Sequence, residues 1–145
     1  MDEQSYGIIP YHINEKKHLQ FLILQHHAWH RWFPKWHTEK WETPTQTAIR
    51  EMREETGINQ IQIQKNKERK EQYYIQKEWK KIKKHVWYFL WYINREKEGI
   101  NIQKKEVNDY KICSYTQAHK TITFTGTKNI LTDAYNYLCT YHKLP

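Results

Sequence analysis

The residues with the most chemical potential lie in Arg50-Glu51-Met52-Arg53-Glu54-Glu55-Thr56-Gly57-Ile58, which gathers three glutamates within five positions. An α-helix advances about 100° per residue, so Glu51, Glu54 and Glu55 share one face. Ala48, Ile49 and Met52 fall on a neighbouring face, so such a helix can bury an apolar side and hold negative charge at the edge of a core. Carboxylates this close repel one another, and each raises the pKa of the others unless a cation compensates. Hard oxygen ligands with room for water suit Mg²⁺ or Mn²⁺, which can then bridge to a phosphate. Taken alone, the run reads better as a solvated acidic helix face, because surface glutamates are common. Its flanks reverse that reading.

Thr43-Pro44-Thr45-Gln46 has the form of a helix start: Thr43 can cap, Pro44 suits the first helical position and Gln46 completes a capping box. Gly57 ends the helix after about three and a half turns. The loop ahead of it holds Lys35, His37, Glu39 and Glu42. The whole segment, Trp36 to Ile58, resembles the Nudix box, whose pattern is Gly, five residues, Glu, seven residues, then Arg-Glu-apolar-x-Glu-Glu-x-Gly-apolar. Glu42, Arg50, Glu51, Met52, Glu54, Glu55, Gly57 and Ile58 match it at the right spacing.

That resemblance implies a mixed sheet sandwiched between helices, the α/β/α arrangement of the Nudix fold, and metal-dependent hydrolysis of a nucleoside diphosphate linked to another moiety. It implies that Glu51, Glu54 and Glu55 hold Mg²⁺ or Mn²⁺, that Arg50 orients Glu51, and that Glu42 supports the loop or an outer metal shell. Glu106, with Asp109 in reserve, resembles the late family carboxylate that joins the metal cluster or acts as base; a surface loop carboxylate is the plain alternative. Either Glu51 or Glu106 can serve as that base. Phe33-Pro34-Lys35, followed by His37, resembles the sub-group that cleaves dinucleoside polyphosphates, diadenosine tetraphosphate above all, into ATP and AMP. Lys35, His37 and Lys84 are then candidate phosphate contacts, and Tyr74 and Phe124 candidate base-stacking groups. A neighbouring reading is removal of pyrophosphate from RNA 5′ ends; one of a different class is a non-catalytic nucleotide-binding module.

The elements that must position these groups follow from periodicity. Ser5 to Tyr11 and Gln20 to Gln25 read as paired strands, and Ile61 to Gln64 and Glu71 to Gln76 as two more. Lys65 to Lys70 and Lys77 to Lys83 read as basic turns, better explained as solvated hairpin tips than as nucleic-acid contacts. Lys84 to Ile93 is the most apolar stretch and should be a central strand. Asn94 to Val107 reads as a loop with a short strand at Ile100 to Gln103. A helical turn is expected over Thr116 to Lys120 and an amphipathic helix over Thr127 to Tyr141.

At 145 residues, one domain spanning 1–145 is the simplest organisation. The formal net charge of +8 suits an anionic partner such as a nucleotide. Cys113 and Cys139 make no disulfide framework. His26, His27 and His30 lack a nearby acidic or thiol partner for zinc. No stretch reaches transmembrane length and the first residues lack a signal-like apolar run, so a cytoplasmic monomer without membrane contact is expected.

Seven Trp against four Gly is an odd balance. Trp36 stands at the opening Gly of the box and Trp41 at a position commonly Gly before Glu42, while Trp32 and Trp91 also stand where the sub-group commonly has Gly. Gly serves where φ is positive or the backbone approaches a ligand closely. Independent drift of four such positions to one bulky residue is implausible. UGA codons that mean Gly in the source, translated as Trp, explain the pattern; a divergent homologue stacking its indoles on a base is the alternative.

Overall fold

The computed structural model describes residues 2–26, 30–39, 41–60, 63–94, 99–102 and 107–145, with only the backbone for 63–68. In chain order the elements are β1 (Asp2–Ile13), β2 (Leu19–His26), β3 (Arg31–Trp32), β4 (Lys35–Trp36), α1 (Pro44–Thr56), β5 (Ile63–Lys77), β6 (Lys80–Tyr92), β7 (Val107–Ser114), α2 (Tyr115–Thr121) and α3 (Thr125–Tyr141). The strands form a seven-stranded sheet in the order β3-β2-β1-β6-β5, with β4 paired to β1 and β7 to β2. β1 and β6 run parallel, from Asp2 opposite Lys83 to Tyr11 opposite Tyr92, and the other pairs are antiparallel. The sheet is therefore mixed.

Strand alternation divides the apolar residues between two faces. Ile8, Leu22, Leu24, Phe89 and Trp91 meet Ala48 and Met52 of α1 on one face. Ile9, Phe21, Ile23, Val86, Tyr88 and Leu90 meet Ala118 of α2 and Ile130, Leu131, Ala134 and Leu138 of α3 on the other. Helices thus cover both faces, as the expected α/β/α architecture requires. Among the described residues no helix is long and apolar enough to cross a membrane. Cys113 and Cys139 are both free.

α1 begins and ends as its sequence dictates. The Thr43 side chain accepts from the Gln46 N–H at 3.2 Å and the Gln46 side chain accepts from the Thr43 N–H at 2.8 Å, a complete capping box. Gly57 closes the helix at φ 75°, a left-handed conformation that costs a residue without Cβ little, and its N–H reaches the Arg53 carbonyl at 2.9 Å.

Three sequence expectations change. Lys65 to Lys70 is not a turn: β5 runs through it, and the register shifts between Gln64, opposite Leu90, and Arg69, opposite Tyr88. The polar run is absorbed as an irregularity in a strand whose pairing with β6 resumes on either side. The second turn shrinks to Glu78 and Trp79, with Glu78 at φ 57°, because Lys77 already pairs with Lys80. Ile100 and Ile102 are not in a strand; both pack against the α1-side core, and the Asn101 N–H bonds to the Thr56 carbonyl at 2.8 Å.

Candidate active site

The acidic helix is organised by Arg50. Its guanidinium grips Glu42 with two bonds, Nε to Oε2 at 2.8 Å and Nη2 to Oε1 at 2.9 Å, the bidentate pairing that planar donors favour. Nη1 donates to Glu51 Oε1 at 3.0 Å and reaches Glu54 Oε2 at 3.4 Å. Thr47 Oγ1 adds a bond to Glu42 Oε1 at 3.2 Å. The hydrogen bond from Arg50 holds the Glu42 carboxyl below the ordinary carboxylate range, and the same bond raises the Arg50 pKa. Glu42, although eight positions upstream in the loop, is thereby fixed to the first turns of α1. The opposite side of the helix is anchored by Met52 and Ala48, both fully buried. Between these sides the three glutamates grade from exposed to enclosed: Glu54 is exposed, Glu51 half-buried and Glu55 only 2% exposed.

Among the described residues no three His, Cys, Asp or Glu side chains converge as a metal site. By donor chemistry the glutamates fit a hard divalent cation, since all three offer carboxylate oxygens from successive positions on one helix face. Arg50 draws Glu51 and Glu54 toward itself in this arrangement. Glu106 lies outside the described residues. Its neighbour in the chain, Val107, is buried in the α1-side core. The reserve residue, Asp109, is exposed on β7, and its Oδ1 accepts from the Tyr110 N–H at 2.8 Å.

β4 links this helix to a second feature. Lys35 and Trp36 are consecutive in a strand and so point to opposite faces. Trp36 packs on the α1-side core, while Lys35 turns into a cleft of about 740 Å³ on the α3 side. Lys35 Nζ donates to the Tyr73 hydroxyl at 3.0 Å and sits 4.5 Å from the centre of the Trp32 ring. His30, Trp32 and Phe124 form an aromatic wall, with ring centres 4.9 Å apart for His30–Phe124 and 5.6 Å for Trp32–Phe124. Tyr74 borders the cleft on β5, with Lys81 Nζ 4.6 Å from its ring centre.

Lys35 and Phe124 are thus brought together as the sequence suggested, with Tyr74 at the border and its ring turned toward Lys81. His37 and Lys84 are not among the lining residues. His37 Nδ1 lies 3.2 Å from the Gln4 carbonyl oxygen, and Lys84 Nζ donates to Glu3 at 2.6 Å, so both are tied to the start of β1. Lys84 nevertheless pairs across the sheet with Tyr73, one strand row from the cleft. Among the lining residues that the sequence reading missed are Glu71 and Tyr73. Their signal was the alternation of Glu71, Tyr73 and Ile75 on a β5 face opposite buried Val86 and Ile82, which puts Glu71 on the inward side.

The tryptophans split in an informative way. Of those described, none has a positive φ, so backbone conformation does not demand Gly at 32, 36, 41 or 91. Side-chain packing is less forgiving. Trp91 is fully buried, and among the described residues neither its indole N–H nor that of Trp32 finds an acceptor. Trp41 is 82% exposed ahead of α1. Trp87, expected inside a buried strand, is only half-buried, with Lys70 Nζ 4.8 Å from its ring centre.

The family model described as NUDIX domain matches residues 5–133. A comparison with curated proteins found no match. Among solved structures, a C. elegans Ap4A hydrolase binary complex superposes with a TM-score of 0.75 at 21% identity, covering 94% of this chain and 98% of that one. The E. coli dihydroneopterin triphosphate pyrophosphohydrolase gives 0.71 at 17% identity, covering 90% and 92%. The NUDIX domain of Shewanella oneidensis NrtR, complexed with ADP ribose, gives 0.69 at 13% identity, covering 95% and 89%. At these identities the likeness is one of fold.

Proposed function

The chain belongs to the Nudix hydrolase family, and we propose that it hydrolyses a phosphoanhydride bond in a dinucleoside polyphosphate, cleaving diadenosine tetraphosphate asymmetrically to ATP and AMP. The observation that carries this reading is the meeting of Lys35 and Phe124, with Tyr74 at the border, in a cleft of about 740 Å³, within the volume range of small-molecule sites. Phe124, beside Trp32 and His30, offers a stacking surface for a base. Tyr74, alternating with Tyr73 on β5, turns its ring toward Lys81 on the other face and would reach a base only at the cleft's border. Lys35, leaving β4 beside the loop that leads to the acidic helix, offers a cation to the phosphates.

Nudix hydrolases generally use divalent metal ions, and in this reading Glu51, Glu54, Glu55 and Glu106 hold Mg²⁺ or Mn²⁺. Bound there, the ion supplies charge neutralisation at the phosphates and acidifies a water molecule. The protein's own part is positional. Arg50, clamped by Glu42, holds Oε1 of Glu51 and so sets how that carboxylate is presented on the acidic face of α1. Glu51 or Glu106 accepts the proton of the attacking water. Enclosure of Glu55 at the core edge fixes one carboxylate against the apolar side of α1. His37 and Lys84 would reach phosphate only by leaving their present partners on β1.

A second reading, removal of pyrophosphate from RNA 5′ ends, is favoured by the lysines of the β5–β6 hairpin that stand over Tyr74 and Trp87. The test is turnover with Mg²⁺ on diadenosine tetraphosphate, ADP-ribose and a 5′-triphosphorylated RNA at equal concentration. Release of ATP and AMP, faster than either other reaction, supports the dinucleotide reading. Faster RNA turnover, with steep salt dependence, would replace it with the second. Binding without turnover of any of the three would point to a non-catalytic module.

A further inference from the structure

Among the described residues Glu71 is the one carboxylate that lines the aromatic cleft. Its Oε2 accepts from the Tyr88 hydroxyl at 3.2 Å, while Oε1 accepts no hydrogen bond from a described residue. The carboxylate lies against the first turn of α3, at Gly126. A Cβ on Gly126 would collide with Oε1, so the absence of a side chain there makes room for Glu71. Tyr88, the group that fixes Oε2, is itself only 1% exposed, which holds the carboxylate in place from below. Burial pushes the Glu71 carboxyl up from its ordinary value, with Lys35 and Tyr88 opposing the shift.

A positioned, partly desolvated acceptor among rings selects what it will tolerate. An ionised carboxylate can only accept hydrogen bonds, so it attracts an N–H edge and rejects a carbonyl or an aromatic C–H. The His30–Trp32–Phe124 wall is suited to the flat face of a heterocycle, which would bring the edge of that ring within reach of the cleft's carboxylate. Resting on the reading that this cleft seats a nucleobase, we propose that Glu71 is its specificity-determining residue, accepting a hydrogen bond at Oε1 from the exocyclic amino group of the base. Bases that carry an amino group on that edge are then favoured over those that lack one.

The probes are AMP and purine riboside 5′-monophosphate, which differ only in the 6-amino group, with affinities measured by calorimetry on the full chain. A charge-assisted hydrogen bond predicts that the wild-type protein binds AMP about tenfold more tightly or better. In Glu71→Gln the amide oxygen stays with the Tyr88 hydroxyl and the NH₂ faces the base. AMP should then lose most of its advantage, while purine riboside monophosphate changes by no more than about twofold. Equal affinities for the two nucleotides in the wild-type protein would overturn the proposal. So would a Glu71→Gln variant that weakens both alike, the signature of a ribose contact or of a merely structural carboxylate. If the variant does not fold, the wild-type pair alone decides the matter. Failure of the underlying reading looks different: the folded wild-type protein would bind neither nucleotide.

Discussion

Trp91→Phe tests whether the indole at 91 fits the core it occupies. Trp91 is fully buried on the α1 side of the sheet, and its N–H lacks an acceptor among the described residues. Phe gives up roughly two methylene equivalents of buried surface, about 2 kcal/mol with the small cavity included. It also removes a buried donor whose desolvation costs about 1–3 kcal/mol. The two effects nearly cancel, so the net change should be within about 1 kcal/mol, or a melting shift of no more than about 4 °C. Phe33→Leu is the control, because Phe33 is equally buried and carries no polar atom. That substitution loses burial with nothing returned, and should cost about 1–2 kcal/mol. Urea titrations of both variants, with m-values compared, give the numbers directly. A Trp91→Phe cost above about 2 kcal/mol would refute the reasoning, since it would mean the indole N–H is satisfied.

Glu51→Gln keeps an acceptor for Arg50 and should fold normally, yet lower kcat by about 100- to 10,000-fold if Glu51 handles the proton; a loss under tenfold on diadenosine tetraphosphate would move that role elsewhere. Acid stability should register the Glu3–Lys84 pair. The Lys84 hydrogen bond lowers the Glu3 pKa from its reference of 4.5, so this contribution is present above that value and is lost as pH falls through the folded-state value. The melting difference between wild type and Glu3→Gln should therefore shrink as pH drops below about 4.5, whereas a constant difference would show the shift to be absent. Reading the gene tests the recoding idea: UGA is expected at positions 32, 36, 41 and 91, and UGG there would end it.

Much of the fold was legible because local signals and burial agreed. Thr43, Pro44, Gln46 and Gly57 bounded α1 correctly, since capping chemistry is local and needs no tertiary partner. The alternation of Ile8 with Ile9, and of Phe21 with Leu22, matched the two cores on the two sheet faces. Lys65 to Lys70 misled because its polarity is that of a turn, while pairing with β6 on both sides carries the strand through it. The contact of Arg50 with Glu51 was foreseeable from their adjacency. The bidentate grip on Glu42 was not, because it depends on how the loop folds back on the helix. Glu71 and Tyr73 escaped notice for a similar reason: the cleft arises only when β5, β4 and the start of α3 meet. Trp32 and Trp91 were singled out from composition and position. That their N–H groups find no acceptor among the described residues is a packing fact that composition could not supply.

The most direct test of the central claim is product analysis on diadenosine tetraphosphate with Mg²⁺, with and without a chelator, using this chain and a version carrying Gly at 32, 36, 41 and 91. The account predicts ATP and AMP in equal amounts, abolished by the chelator, with the Gly version the faster of the two. Folded protein that releases neither product in either version would contradict it.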